Sequence, residues 1–333
     1  MRNLITITFF FTLFNAYSIR ELNREINKQD YIDLKNSKIY VVLNHELSKK
    51  DIKHFKMAVD SSWTFCQYEF IDHKRYYNLK DSNYFFMHVL SFNHRVDQAF
   101  YPFVELNISN GAPKCRGKLI QDMEEKLRKK WPDTWGDWYG KWGLYNGNKM
   151  ADILVAPPFI STAEMLKRTT DKRNDVGKTI KYDYFPYGSH KKLSLFVKNL
   201  QNYCEKVVNE KYTNTKDRSK DIKISRNKIT KKTLLIPQER ITKSIKVERI
   251  IEIYSGKVKI LPESEIDSLI LENEDFHVVH CTVNTRGNSY MRIFDVQSGE
   301  LIYLDLFRIN PIKGKYYYGV KSRHVLEWKK GFK

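Results

Sequence analysis

The chain has 333 residues, 41% of them hydrophobic and 14% aromatic, enough apolar material to bury a core and enough length for two domains. This composition excludes a largely disordered protein. The net charge of +19 comes from 41 Lys and 17 Arg set against 39 acidic residues. Base- and phosphate-reading surfaces lean on Arg, so the lysine excess reads as solvated surface, with attraction to an acidic envelope component as the other reading and nucleic acid disfavoured.

The first eighteen residues carry the pattern of a secretory signal. Arg2 precedes an apolar run from Leu4 to Leu13, and Ala16-Tyr17-Ser18 places small residues where cleavage requires them. No later stretch holds the ~20 apolar residues needed to cross a bilayer. The expected mature protein is exported, periplasmic or extracellular, with no transmembrane segment. Export permits disulfides. Cys66 and Cys281 fall in or beside predicted strands and read as packed thiols, while Cys115 with Cys204 is the one pairing to test.

The run Ile39 to Leu43 is apolar on every residue, which predicts a strand buried on both faces in the middle of a parallel sheet. A helix over Lys49–Phe65 follows, with Ile52, Phe55, Val59 and Trp63 on one face. The strand Tyr68–Ile71, a helical turn over Lys74–Lys80 and the strand Tyr84–Phe92 complete a strand–helix–strand pattern, which implies parallel crossovers. Tyr101–Ile108 is its antiparallel neighbour, and Asn110-Gly111 makes a turn.

This order recurs about 190 residues later. Strand Lys232–Ile236 leads to a helix outlined by Ile241, Ile245, Ile250 and Tyr254. Strand Lys257–Leu261, short helix Glu263–Leu271, strand Phe276–Val283, strand Tyr290–Val296 and strand Leu301–Phe307 follow. Tyr68–Ile71 answers Val258–Leu261, Phe92–Arg95 answers Val283–Arg286, and Tyr101–Gly111 answers Tyr290–Gly299. The predicted fold is α/β: two tandem units whose recurring order reads as a duplication, each a mixed, mostly parallel sheet flanked by helices, plus an aromatic-rich insert.

The predicted divisions are a signal at 1–18, a first unit at 19–210 with its insert at 112–190, a basic linker at 211–231 and a second unit at 232–333. Within the insert, Gly117–Lys130 has helical spacing and Asp152–Pro158 is a strand able to complete the first sheet. Leu193–Asn209 is a helix with Leu193, Phe196, Leu200, Cys204 and Val207 on one face. Lys211–Lys232, with nine basic and two acidic residues, lacks a core pattern and reads as a linker or extended arm.

Signatures of known chemistry are missing. Neither GxGxxG nor GxxxxGK[ST] follows a leading strand, and GxSxG and HExxH do not occur. No catalytic residue, cofactor or metal is implied. His277 and His280 at i and i+3 of a strand point to opposite faces and cannot share one ion without a bulge. His88 reads as structural.

Parallel α/β sheets bind ligands beyond the carboxyl ends of their strands. That rule selects Asn44, His45 and Glu46 after the first leading strand, Asn93 and Arg95 after the third, Gln238 and Arg240 after the second leading strand, and Asn284 and Arg286 after its third. Arg beside Asn could grip a carboxylate or phosphate, or these residues could simply form turns. Trp131, Trp135, Trp138 and Trp142 either pack over the first sheet or offer an aromatic surface to an envelope protein or glycan.

The order of signal, α/β unit, aromatic insert and α/β unit resembles secreted proteins of Bacteroidetes-type bacteria, a likeness that carries no function with it. The hairpin Phe294–Leu301, with Asp295, Ser298, Gly299 and Glu300, resembles the D-x-x-[ST]-G-E hairpin of the curli-secretion lipoprotein family, though the lipobox cysteine is missing. These features lead to the expectation of a non-enzymatic binding or assembly component of the cell envelope. The alternatives are a ligand-binding protein with a cleft between its units and an unrecognised hydrolase.

Overall fold

The computed structural model describes residues 26–43, 49–79, 84–96, 99–111, 114–115, 118–119, 149–155, 192–242, 245–254, 256–272, 275–283, 288–308 and 319–330. The first unit runs α1 (Lys28–Lys35), β1 (Lys38–Leu43), α2 (Lys49–Ser62), β2 (Gln67–Asp72), α3 (His73–Asn78), β3 (Phe85–Val96), β4 (Ala99–Asn110), the two-residue strands β5 (Lys114–Cys115) and β6 (Lys118–Leu119), and β7 (Lys149–Leu154). Helices α4 (Leu193–Val208) and α5 (Thr215–Ser225) follow, with a 3-10 segment at Arg226–Lys231. The second unit runs β8 (Thr233–Pro237), α6 (Val247–Ile253), β9 (Val258–Leu261), α7 (Glu263–Leu271), β10 (Phe276–Val283), β11 (Asn288–Asp295), β12 (Leu301–Arg308) and α8 (Ser322–Lys330).

Each unit contributes its own five-stranded sheet, and the two have the same order. The first is β2-β1-β3-β4-β7; the second, from its matching edge, is β9-β8-β10-β11-β12. In both, the leading strand lies between two parallel neighbours and the third strand passes to two antiparallel ones. The chain is thus two tandem α/β units with mixed sheets. The strand expected near Asp152 does complete the first sheet, beside β4.

Two-sided burial explains the unbroken apolar run of β1. Ile39 and Val41 face a core built by α1, α2 and α4, while Tyr40 and Val42 pack with Ile71 and Phe86 on the other face. Strand β8 divides similarly. Leu235 joins the core of the first unit, and Leu234 and Ile236 pack with Ile250, Ile253, Val325 and Trp328.

The largest core therefore belongs to both units, and α4 lies in it. Its buried positions include Leu193, Phe196, Leu200, Cys204 and Val207, the expected stripe, and also Leu195, Val197 and Asn199 on the flank. The Phe196 ring meets His280 and Phe294 of the second sheet at centroid distances of 5.2 and 6.0 Å, while Tyr203 meets Tyr31 of α1 at 6.1 Å.

Three local expectations differ from the structure. Lys211–Lys231 is not an extended arm: Asn214 and Asp217 form a capping box that starts α5, and Tyr212, Ile222 and Ile229 are buried. Ile241 is not helical, because it bridges to Val320 and the helix begins only at Val247. Lys118 and Leu119, placed in a predicted helix, pair instead with Lys114 and Cys115. The rest of that predicted helix, the signal segment and the four tryptophans lie outside the described residues. Cys204 is a free, buried thiol, which removes the Cys115–Cys204 pairing; Cys66 and Cys281 are also free.

The turn from β11 to β12 follows from its sequence. Asp295 Oδ1 accepts hydrogen bonds from the Ser298 amide and hydroxyl, both at 2.8 Å, and Gly299 takes φ 71°. Gly111, its counterpart in the first unit, has the same φ. A Cβ at Gly299 would stand 2.4 Å from the Lys198 Cβ and 2.9 Å from the Asn199 nitrogen. Gly299→Ala should therefore cost about 2–4 kcal/mol, from the left-handed backbone and the overlap with α4 together, read as a lowered midpoint in urea unfolding.

Candidate functional site

Residues of the two units converge at the seam along α4, in a buried charged node at its start and a polar cleft beside its middle. The node grows from the carboxyl ends of the second unit's parallel strands. Beyond β8 the chain makes a 3-10 turn at Gln238–Arg240. Gln238 is exposed there. The Glu239 carboxylate accepts the Glu263 amide hydrogen at 3.0 Å, capping α7, and the buried Arg240 pairs with Glu263 at 2.6 Å.

Lys192, at the N-cap of α4, completes the node. Its ammonium lies 2.7 Å from Glu263 and 2.7 Å from Asp267, and the side chains of Lys192 and Asp267 are each 2% exposed. Burial would push the Glu263 carboxyl up, but Lys192 and Arg240 outweigh it and hold the group below the ordinary carboxylate range. His280 sits beside these groups, with Arg292 opposite it in the β10–β11 register. Burial first, then the charges of Arg292, Lys192 and Arg240, keeps this imidazole neutral. The alternating cations and carboxylates make the node a clamp between α4 and α7.

Asn93 and Arg95 lie in β3 itself, opposite Pro102 and Phe100. Asn44, His45, Glu46, Asn284 and Arg286 lie outside the described residues, as do Trp131, Trp135, Trp138 and Trp142. His277 and His280 face opposite sides of β10, as their spacing requires. The His277 ring nitrogens stand 3.2 Å from the Ile229 carbonyl oxygen and 3.3 Å from the Asp295 carboxylate. His88 packs against Tyr76 and lies 3.1 Å from the Ser109 hydroxyl. Among the described residues no group of three or more His, Cys, Asp and Glu could hold a metal ion.

The cleft, about 200 Å³, has its floor on α4. Lys198, Gln201, Asn202 and Glu205 recur at i, i+3, i+4 and i+7 and so share one face of the helix. Ser61 and Ser62 at the end of α2 form one wall, Gln297 and Ser298 of the β11–β12 turn the other. The first unit, the linking helix and the second unit each supply part of the lining.

Internal hydrogen bonds hold some of these groups in place. The Gln201 amide nitrogen donates to Glu205 and to the Thr64 hydroxyl, each at 2.9 Å, and its oxygen accepts the Thr64 amide hydrogen. Lys198 donates to the Val296 carbonyl oxygen, and partial burial lowers its pKa. No hydrogen bond engages the amides of Asn202 or Gln297 among the described residues. The wall turn is anchored in turn: Asp295 binds Lys232 at 2.5 Å, and Glu300 takes Lys206 at 3.1 Å and Lys228 at 2.7 Å.

Of the residues singled out in the sequence as ligand contacts, Arg240 lies in the node, where it pairs with Glu263; Lys192, Asp267 and the cleft stripe were not singled out. The stripe had a legible signal, polar residues at i, i+3, i+4 and i+7 opposite the apolar face of a strong helix. Nothing in the sequence marked Lys192 as buried among 41 lysines. Compared with protein-family models, curated proteins and solved structures, the chain matches none.

Lys192→Met should destabilise the protein by about 3–5 kcal/mol in urea unfolding, because it leaves Asp267 charged and buried. The Lys192→Met/Asp267→Leu double variant should recover much of that loss, since an apolar pair of similar size replaces the ions.

A second expectation concerns acid. Burial raises the Asp221 carboxyl, but Lys206 and the Tyr212 hydroxyl, both at 2.6 Å, overcome that and bring it down to about 2. A carboxyl depressed on folding contributes stability above its unfolded value of ~3.9 and loses it as pH falls toward the folded one. Unfolding free energy should drop as pH falls from about 4 to about 2, and Asp221→Asn should flatten that limb of the profile.

Proposed function

We propose that this protein is an exported, non-enzymatic binding or assembly component of the cell envelope. The observation that carries the reading is the single core that both sheets share through α4. Units joined by a large apolar interface do not move as separate lobes, so their surfaces keep a fixed relation. A rigid body of this kind meets a partner without the entropy cost of ordering itself.

The chemistry of the described side chains supports the same reading. Arg240, Glu263, Lys192 and Asp267 are spent on holding helices, and Asp295 and Glu300 on fixing a turn. Burial pushes the Cys66 thiol up to about 11 and the Cys281 thiol up to about 12, far from the thiolate a nucleophile needs. Among the described residues no helix is long and apolar enough to cross a membrane. The N-terminal pattern of Arg2, Leu4–Leu13 and Ala16-Tyr17-Ser18 supports export.

A second reading is favoured by one feature. The polar cleft lined by both units and α4 suits a ligand-binding protein whose site lies at the seam.

Crosslinking in native membranes should trap a defined partner at a reproducible mass, and the N-terminus of the mature chain should begin near Ile19. Recovery of free monomer alone, with Met1 retained, would overturn the envelope reading.

A further inference from the structure

We infer that the cleft at the seam binds a small neutral polyhydroxylated ligand, a single saccharide unit. This rests on the second reading above, that the cleft is a ligand site, and adds the class of ligand.

Six of the eight lining residues carry a group that both donates and accepts: the amides of Gln201, Asn202 and Gln297 and the hydroxyls of Ser61, Ser62 and Ser298. The other two, Lys198 and Glu205, have opposite charges and offer no net field to an ion. A carboxylate only accepts and a phosphate mostly accepts, and the anionic oxygens of either would be set against Glu205 and the amide and hydroxyl oxygens. An ammonium ligand only donates, and would meet Lys198. Within the fold Gln201 already donates both amide hydrogens, and Ser61 and Ser298 their hydroxyl hydrogens, so these three present acceptors, whereas Asn202 and Gln297 keep both roles; a sugar hydroxyl, which donates and accepts at one atom, can answer both kinds.

Size and lining narrow the class. About 200 Å³ lies below the ~300–1,000 Å³ of sites for drug-sized molecules, which limits the occupant to one ring or one terminal unit of a chain. Among the described residues no aromatic side chain lines the cleft, so stacking on them adds nothing and the expected dissociation constant is on the order of millimolar. The free amides of Asn202 and Gln297 stand on the floor and on the facing wall, placed to contact one ring from two sides. Neither contributes a hydrogen bond to the fold among the described residues, so their truncation tests binding apart from stability.

Saturation-transfer difference NMR on the full chain with N-acetyl-D-glucosamine, its β-1,4 tetramer, L-glutamine and inorganic phosphate separates the possibilities. Saturable transfer to the sugar protons, weakened at least about fivefold by Gln297→Ala and by Asn202→Ala with unchanged melting temperatures, is the expected result. Tighter binding of the tetramer would support the inference with a glycan end as the source, and equal or weaker binding would support it with a free sugar. A Gln297-dependent response to glutamine or phosphate, measured by competition or ³¹P line broadening and without one to either sugar, would overturn the saccharide class and leave the cleft as a ligand site. Absence of any Gln297- or Asn202-dependent response would overturn both.

Discussion

The burial of α4 between two sheets is the constraint on which the rest of the structure depends. A helix packed on one sheet hides one stripe and turns the remainder to solvent. This helix has a second sheet against its flank, so Leu195 and Asn199 are buried as well as the stripe of Leu193, Phe196, Leu200, Cys204 and Val207. Its start is buried with it, and that forces Lys192 out of water. An ammonium in such a place requires carboxylates within reach, which Glu263 and Asp267 of α7 provide. Arg240 then answers the second oxygen of Glu263. The clamp is a consequence of where the helix lies.

The same constraint explains how the two units differ while keeping one strand order. In the second sheet, one face receives α4 and α7 and the other is covered by α6, α8 and the 3-10 segment at Arg226–Lys231. In the first, one face carries α1, α2 and α4, and the smaller cluster of Tyr40, Val42, Ile71 and Phe86 lies on the other beside α3. The turn glycines correspond, Gly111 and Gly299 sharing φ 71°; the first turn is tied to α1 by the Asn110 amide, which donates to Asp30 at 3.0 Å, and the second is pressed against α4.

Much of the fold was legible in the sequence because its signals were local. The apolar run Ile39–Leu43 announces two-sided burial, and the offset of strands and turns announces the second sheet. Lys211–Lys232 misled because nine cations in twenty-two residues look solvated. Its helix rests on the local Asn214–Asp217 capping box and on the Lys206–Asp221 ion pair, while the segment after it is held by Lys228 to Glu300, 72 positions along the chain. Ile241 misled for the same reason, since its partner Val320 lies 79 positions away. Arg240 was found by a general rule about strand ends, but the rule speaks of position and not of partners. Whether that arginine grips a ligand or Glu263 depends on α7, and no pattern within β8 records it.

The cleft follows from what α4 leaves over. Its apolar and small positions are consumed by the two sheets, and Lys198, Gln201, Asn202 and Glu205 form the strip that neither covers. Because the sheets approach from both sides, this strip lies in a furrow, walled by the end of α2 and the β11–β12 turn. The walls are rigid for reasons already set by the fold: Ser62 closes a helix whose Phe55 and Val59 are core, and Ser298 is bonded to Asp295, itself tied to Lys232. Polar side chains on such supports lose little freedom on meeting a ligand, which favours binding even in a shallow site. The seam that makes the two units one body thus also produces the place where both can touch a third molecule.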